Sequence, residues 1–311
     1  MQGAIAKSIR IIFMGTPDFA VSSLKRLVDE GYNVVGVITA PDRPSGRGQK
    51  IRSSAVKQYA IGENLTILQP TNLKSEDFNK ELKALNPELQ VVVAFRMLPK
   101  SVWALPKYGT FNLHASLLPD YRGAAPIHWA IINGESETGV TTFFIDEKID
   151  TGAILLSSKT PISETETVGE LHDKLMVIGS ELVLETIEGI AKNQLKPIPQ
   201  SIAKPLKTAY KLNKDNCKID WEDDVKNLYN KIRGLNPFPA AWCYLEHQNK
   251  KEMIKVFKSR YSLEPHNKTL GAIESSKDHL KIATKNGFIH IYEIQLPGKR
   301  KMDVNSLLNG L

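Results

Sequence analysis

Two cysteines, Cys217 and Cys243, are all that this 311-residue chain contains. So few exclude a disulfide framework, and their spacing is not that of a metal site. Long apolar runs are missing as well. The longest, such as Val91 to Phe95, fall far below the ~20 residues a membrane span needs. Met1 to Arg10 has one Lys and one Arg but no extended apolar stretch behind them, so no signal peptide is expected, and a reducing, cytoplasmic setting fits. Gly15-Thr16-Pro17 follows the first apolar run, yet Pro17 stands where Gly-x-Gly-x-x-Gly has its second glycine. Close approach by a dinucleotide pyrophosphate is therefore not expected. A Gly-x-x-x-x-Gly-Lys-[Ser/Thr] loop, internal repeats and low-complexity tracts are also absent from the sequence.

What is present is ordinary in bulk, 41% hydrophobic and 24% charged, and long enough for two domains. The net charge of +7 is unevenly placed: residues 1–200 hold 21 Lys+Arg against 22 Asp+Glu, and residues 201–311 hold 20 against 12. A C-terminal part at about +8 either meets a polyanion or presents a solvated basic surface.

Apolar runs at Arg10–Met14, Asn33–Thr39 and Gln90–Phe95 read as buried strands. Helical patterns lie between them at Asp18–Glu30, Ser53–Asn64 and Ser75–Leu85. Alternation of this kind predicts a parallel sheet with helices on both faces. Phe111–His114 and Thr138–Ile145 read as further strands, and Ile162–Ala191 as a helix-rich close. Lys196-Pro197-Ile198-Pro199 and Lys204-Pro205 then break regular structure. These breaks place a first domain at 1–192, a linker at 193–210 and a second domain at 211–311. The second domain shows short β-type runs at Ala240–Glu246, Ile254–Tyr261, Thr269–Glu274, Leu280–Thr284 and Phe288–Leu296. Asn286-Gly287 is a hairpin signal between the last two, and the run of short strands suggests a small barrel.

Asn112 and His114 are two apart on a predicted strand, so they share a face. An amide and an imidazole so placed suit a reaction that builds charge on a carbonyl oxygen. They are equally consistent with satisfied buried polar groups. Asp146, Glu147 and Asp150 follow downstream, and the residues alone do not choose among these three carboxylates. The loop Asp42–Arg52, with Arg43, Arg47, Lys50 and Arg52 among glycines, could follow a phosphate backbone or be a mobile surface loop. Lys207, Lys211, Lys251, Lys255, Lys258 and Arg260 could add phosphate contacts, although each single cation reads first as solvated surface.

Asn112-x-His114-x-Ser116-Leu117-Leu118-Pro119, Arg122-Gly123-Ala124-Ala125-Pro126 and Asp150-Thr151-Gly152 resemble the formyltransferase family that uses 10-formyltetrahydrofolate. Ile11-Ile12-Phe13-Met14-Gly15-Thr16-Pro17-Asp18-Phe19 and the Pro41–Gly48 loop narrow the likeness to members acting on initiator tRNA. It runs from about Ile11 to the C-terminus. The resemblance implies a Rossmann-like parallel-sheet domain followed by an OB-like β-barrel domain that binds tRNA. It implies that Asn112 and His114 stabilise an oxyanion and that Asp150 is the catalytic carboxylate. Ser116, Leu117, Leu118 and Pro119, with Phe95 and Met97, would hold the folate co-substrate. Arg43, Arg47, Lys50 and Lys211 would meet the tRNA. No metal is implied, the acceptor would be the α-amine of methionyl initiator tRNA, and the enzyme would be a monomer. Phe95-Arg96-Met97-Leu98-Pro99 departs from the family's Ala-Tyr-Gly-x-Ile-Leu-Pro: it is one residue shorter and has Arg96 near the glycine. Ala115 stands where Gly is common, and His128-Trp129 where Gln-Arg is expected. Formyl transfer to a small amine (an amino sugar or glycinamide ribotide), or RNA binding without catalysis, are the alternatives. The basic loop and basic second domain speak against the first, and Asn112, His114 and Asp150 against the second.

Overall fold

The computed structural model describes residues 2–45, 50–201, 205–247, 250–276 and 279–308. Strand β1 (Ile11–Gly15) is buried at every position, as a strand covered on both faces should be. Helix Asp18–Asp29 follows and buries Phe19, Ala20, Leu24 and Leu27 along one face. Between them Gly15 leaves no room for a side chain: a Cβ would lie 2.6 Å from the Ala20 Cβ and 3.0 Å from the Val93 carbonyl oxygen. β2 (Val34–Ile38) pairs parallel with β1. β3 (Arg43–Ser45) and β4 (Lys50–Arg52) pair antiparallel with each other, outside the main sheet. Helix Ala55–Gly62 opens where the Ser54 hydroxyl accepts from the Lys57 amide at 3.0 Å, a normal cap. β5 (Ile67–Leu68), helix Glu76–Ala84, β6 (Leu89–Val93) and β7 (Thr110–His114) continue the alternation.

After the short β8 (Arg122–Gly123) come β9 (Glu137–Phe144) and β10 (Ile154–Pro161). The seven-stranded order is β10-β9-β7-β6-β1-β2-β5. The pairs of β1 with β2 and β6, of β2 with β5 and of β6 with β7 are parallel. At the other edge β9 runs antiparallel to β7, with His114 opposite Thr141. The sheet is parallel-dominated as expected, and at this edge an antiparallel neighbour enters where its partner leaves and needs no crossover. Strand succession reverses between β1 and β6, so the ligand crevice expected of such sheets lies beyond their carboxyl ends, next to His114 at the end of β7.

The chain forms two compact units. One comprises Met1–Arg122, Gly139–Thr160 and His172–Lys207; the other comprises Gly123–Thr138, Pro161–Leu171 and Thr208–Leu311. The second holds β11 (Thr208–Ala209), helix Val225–Gly234, β12 (Ala241–His247), β13 (Lys250–Leu263), β14 (Ile273–Ser275), β15 (Leu280–Thr284), β16 (Gly287–Gln295) and β17 (Met302–Asp303). Its antiparallel sheet runs β12-β13-β16-β15-β14, with β17 on β16. Val225, Leu228 and Ile232 of the helix share one core with Ile254, Val256, Ile282 and Ile289 of the sheet. The expected hairpin is present but displaced by one residue: Lys285 and Asn286 form the turn, and Gly287 already pairs with Thr284. Gly287 is required for a different reason, since a Cβ there would fall 2.0 Å from the Ser262 carbonyl oxygen. Among the described residues no helix is long and apolar enough to cross a membrane.

Candidate active site

β7 delivers Asn112 and His114 to one face, Asn112 half-buried and His114 7% exposed. His114 Nε2 lies 2.8 Å from the Tyr121 carbonyl oxygen. A carbonyl only accepts, so Nε2 carries the proton and donates it. Tyr121, at φ +60°, is itself tied down: its N–H donates to the Lys207 carbonyl, and the Lys207 N–H donates to Asp120 Oδ1 at 3.2 Å. The free ring atom is Nδ1, and it faces Asp150 Oδ2 at 3.9 Å. That is too long for a hydrogen bond. Among the described residues nothing takes up the Asn112 side-chain amide, which leaves its donors for a bound group.

The three carboxylates part company here. Asp146 accepts from the Thr151 hydroxyl (2.7 and 2.9 Å) and from the Lys148 amide (2.9 Å), so it builds the turn. Glu147, 72% exposed, pairs with Lys100 at 3.1 Å on the surface. Asp150, its side chain only 16% exposed, is the one beside His114. It sits in the left-handed region at φ +55°, a conformation that costs most L-residues about 1–2 kcal/mol and that Asp tolerates better. Gly152 two residues on has no alternative, because a Cβ would lie 1.6 Å from the Phe144 carbonyl oxygen. Gln200, which the sequence reading did not single out, donates from Nε2 to the carbonyls of Asp150 (3.0 Å) and Gly152 (2.8 Å).

The segment after β7 is stapled to β9. The Thr141 hydroxyl donates to the Ser116 carbonyl at 2.7 Å and accepts from the Leu118 amide at 3.2 Å. Ser116 is fully buried, and its hydroxyl donates to the Asp120 carbonyl at 2.7 Å, so this side chain shapes the loop. Leu117 and Pro119 are half-buried and Leu118 is buried. At the end of β6, Ala94 takes φ +48°. Phe95 beyond it packs on the core of Met14, Val92 and Leu98, while Met97 is 65% exposed. Arg96 closes the shortened stretch: its guanidinium donates to the carbonyls of Thr71 (3.0 Å) and Pro70 and lies 5.7 Å from the Phe95 ring centre. Burial, and then the neighbouring Arg43 charge, lower the pKa of Arg96.

Arg43 and Lys211 are exposed. Arg47 lies outside the described residues, as does the side chain of Lys50. Lys255 donates to the Pro239 carbonyl at 3.1 Å, whereas Lys251 lies 5.2 Å from the Tyr244 ring centre on the sheet surface. Among the described residues no group of three or more His, Cys, Asp or Glu could hold a metal ion.

Residues 8–187 match the family described as formyl transferase, and residues 211–311 its C-terminal domain. A curated methionyl-tRNA formyltransferase of Flavobacterium johnsoniae is 57% identical over 98% of this chain and 97% of its own. That of Bacteroides thetaiotaomicron is 50% identical over 98% and 96%. Among solved structures, WlaRD, a sugar 3N-formyl transferase crystallised with dTDP and 5-N-formyl-THF, matches with a TM-score of 0.66 at 23% identity, over 94% of this chain and 99% of that one. HypX from Aquifex aeolicus in complex with tetrahydrofolic acid matches at 0.62 and 20%, over 97% of this chain and 47% of that one. At these identities the structural likeness speaks for the fold.

Proposed function

The chain belongs to the formyl transferase family, in the branch of the methionyl-tRNA formyltransferases, and from that premise we propose how its residues carry out the transfer. The reaction moves the formyl group of 10-formyltetrahydrofolate to the α-amine of methionine esterified to initiator tRNA, giving the formylated aminoacyl-tRNA used to start translation. The acceptor rests on relatives of 49–57% identity over nearly their whole length. The chemistry rests on one observation, the Asp150 carboxylate 3.9 Å from His114 Nδ1.

An α-amino group has a pKa of about 7.7–8.0, so a useful fraction is neutral and nucleophilic near pH 7. As it attacks the formyl carbon, negative charge develops on the formyl oxygen. The unpartnered Asn112 amide and the protonated Nδ1 of His114 stabilise that charge. Losing one such donor typically costs ~10²–10³ in turnover. Asp150, facing His114 Nδ1, receives the amine proton, directly or through water. His114 then has a proton for the departing folate nitrogen. Leu117, Leu118 and Pro119, on the loop that Ser116 shapes, form the folate wall with Phe95 and Met97, and Arg43, Arg47, Lys50 and Lys211 meet the tRNA backbone. We assign the catalytic domain to 1–192, the linker to 193–210 and an OB-like tRNA-binding domain to 211–311, supported by the two family matches. We take the enzyme to be a cytoplasmic monomer.

The test is transfer of labelled formyl from 10-formyltetrahydrofolate with methionyl initiator tRNA, free methionine and an amino sugar competing. Label on the tRNA alone is expected. Label on a small amine would overturn the acceptor, and no transfer would overturn the chemistry.

A further inference from the structure

We infer that Gln200, held by Arg122, is a positioning residue that sets the reach of Asp150. The inference rests on the proposed catalytic role of Asp150. All four hydrogen-bonding positions of the Gln200 amide are used. Nε2 donates to the Asp150 and Gly152 carbonyls at 3.0 and 2.8 Å. Oε1 accepts from Arg122 Nε at 3.1 Å and Nη2 at 2.5 Å. An amide satisfied on both edges has one orientation and does not flip. Its backbone is anchored too. Ile198, two residues before, exchanges both hydrogen bonds with Ile154 at 2.8 and 2.9 Å, so the segment carrying Gln200 moves with the start of β10.

The clamp grips an atypical piece of chain. Asp150 is left-handed at φ +55°, and the Thr151 hydroxyl is pulled the other way, to Asp146. Without the amide, the carbonyls of residues 150 and 152 lose their side-chain donors, and the turn is free to relax towards a right-handed backbone. Asp150 Oδ2 stands 3.9 Å from His114 Nδ1. Its reach depends on where the backbone of the turn lies, and Gln200 grips that backbone on both sides of Thr151. Arg122 acts one step further out. Its charge polarises the Gln200 carbonyl and so strengthens the donors on the other side of the amide.

A misplacement of about 1 Å in a catalytic group can cost ~10²-fold. The test is single-turnover and steady-state formyl transfer by Gln200→Ala, Gln200→Glu, Asp150→Asn and Gln200→Ala/Asp150→Asn, with thermal melts alongside. We expect Gln200→Ala to lower kcat by about 10- to 100-fold while KM for folate and for methionyl-tRNA stays within about twofold and the melting temperature is unchanged. Gln200→Glu keeps the pairing with Arg122 but turns an acceptor towards two carbonyls, so it should be at least as slow. In the Asp150→Asn background the Gln200→Ala change should cost nothing more. A normal kcat in Gln200→Ala, recovery in Gln200→Glu, or a full additional loss in the double variant would each overturn the positioning role. Near-normal activity of Asp150→Asn would instead overturn the catalytic reading beneath it.

Discussion

The Cys243 thiol is 1% exposed, and burial pushes it up to about 12; burial likewise raises the Cys217 thiol. A thiol raised this far is protonated throughout the physiological range, and only a thiolate attacks an alkylating agent. At pH 8.5 iodoacetamide should therefore label neither cysteine in the folded enzyme and both after denaturation; mass spectrometry reads the difference. The sign of the linkage follows. The folded value lies above the unfolded one, so stability is intact below the unfolded value and declines as pH climbs towards 12. Rapid labelling of native Cys243 at pH 8.5 would show that its strand opens locally. The carboxylates behave differently from the cysteines in what the sequence reveals. Asp146, Glu147 and Asp150 are equivalent as letters. They become distinct once Thr151 claims Asp146, Lys100 claims Glu147 and a left-handed backbone turns Asp150 to His114. Gln200 carried no signal at all, because its contacts span about fifty residues of chain.

At the scale of elements, Asn286 joins a turn to a helix. Its Oδ1 accepts from the Val225 amide at 2.9 Å and its Nδ2 donates to Asp224 Oδ2 at 2.7 Å, while Asp224 Oδ1 accepts from the Lys226 amide at 3.0 Å. Two side chains thus cap one helix start. Asn286→Ala should lower stability by about 1 kcal/mol, the usual worth of a lost cap, and denaturant melts of the full chain would read it. An unchanged midpoint would mean that Asp224 caps alone. The elements themselves were legible where periodicity is strong: β1, β2, β6, β7 and the helices Asp18–Asp29, Ala55–Gly62 and Glu76–Ala84 fall within a few residues of their sequence positions. Helix Val225–Gly234 was not legible, because its buried residues Val225, Leu228 and Ile232 are set among charged and amide side chains. Nor was the antiparallel edge, since Thr138–Ile145 is equally β-prone in either direction.

For the whole molecule, charge placement carries the argument. Residues 201–311 hold about +8 of net charge, and residues 1–200 about −1. Yet several of those cations are already engaged within the fold. Lys255 donates to Pro239, Lys231 to the Lys218 carbonyl at 2.7 Å, and burial lowers the pKa of Lys231. What remains for tRNA is the exposed set, Lys211 and Lys251 among it, together with Arg43 in the first unit. If a handful of these neutralise phosphates, binding releases as many counterions, and affinity falls as a steep power of salt. With about four such contacts, raising salt from about 50 to 200 mM should raise KM for methionyl-tRNA by about 10²-fold. On the folate wall proposed above, which is mainly apolar, the KM for the folate co-substrate should change less than about twofold, because salt screening acts on charges rather than on apolar contacts. Replacing Lys211 by Ala should flatten the tRNA slope by about one phosphate's worth without moving kcat at saturating tRNA. A tRNA KM as indifferent to salt as the folate KM would mean that the basic C-terminal unit is a solvated surface, and that the acceptor is recognised by its aminoacyl end alone.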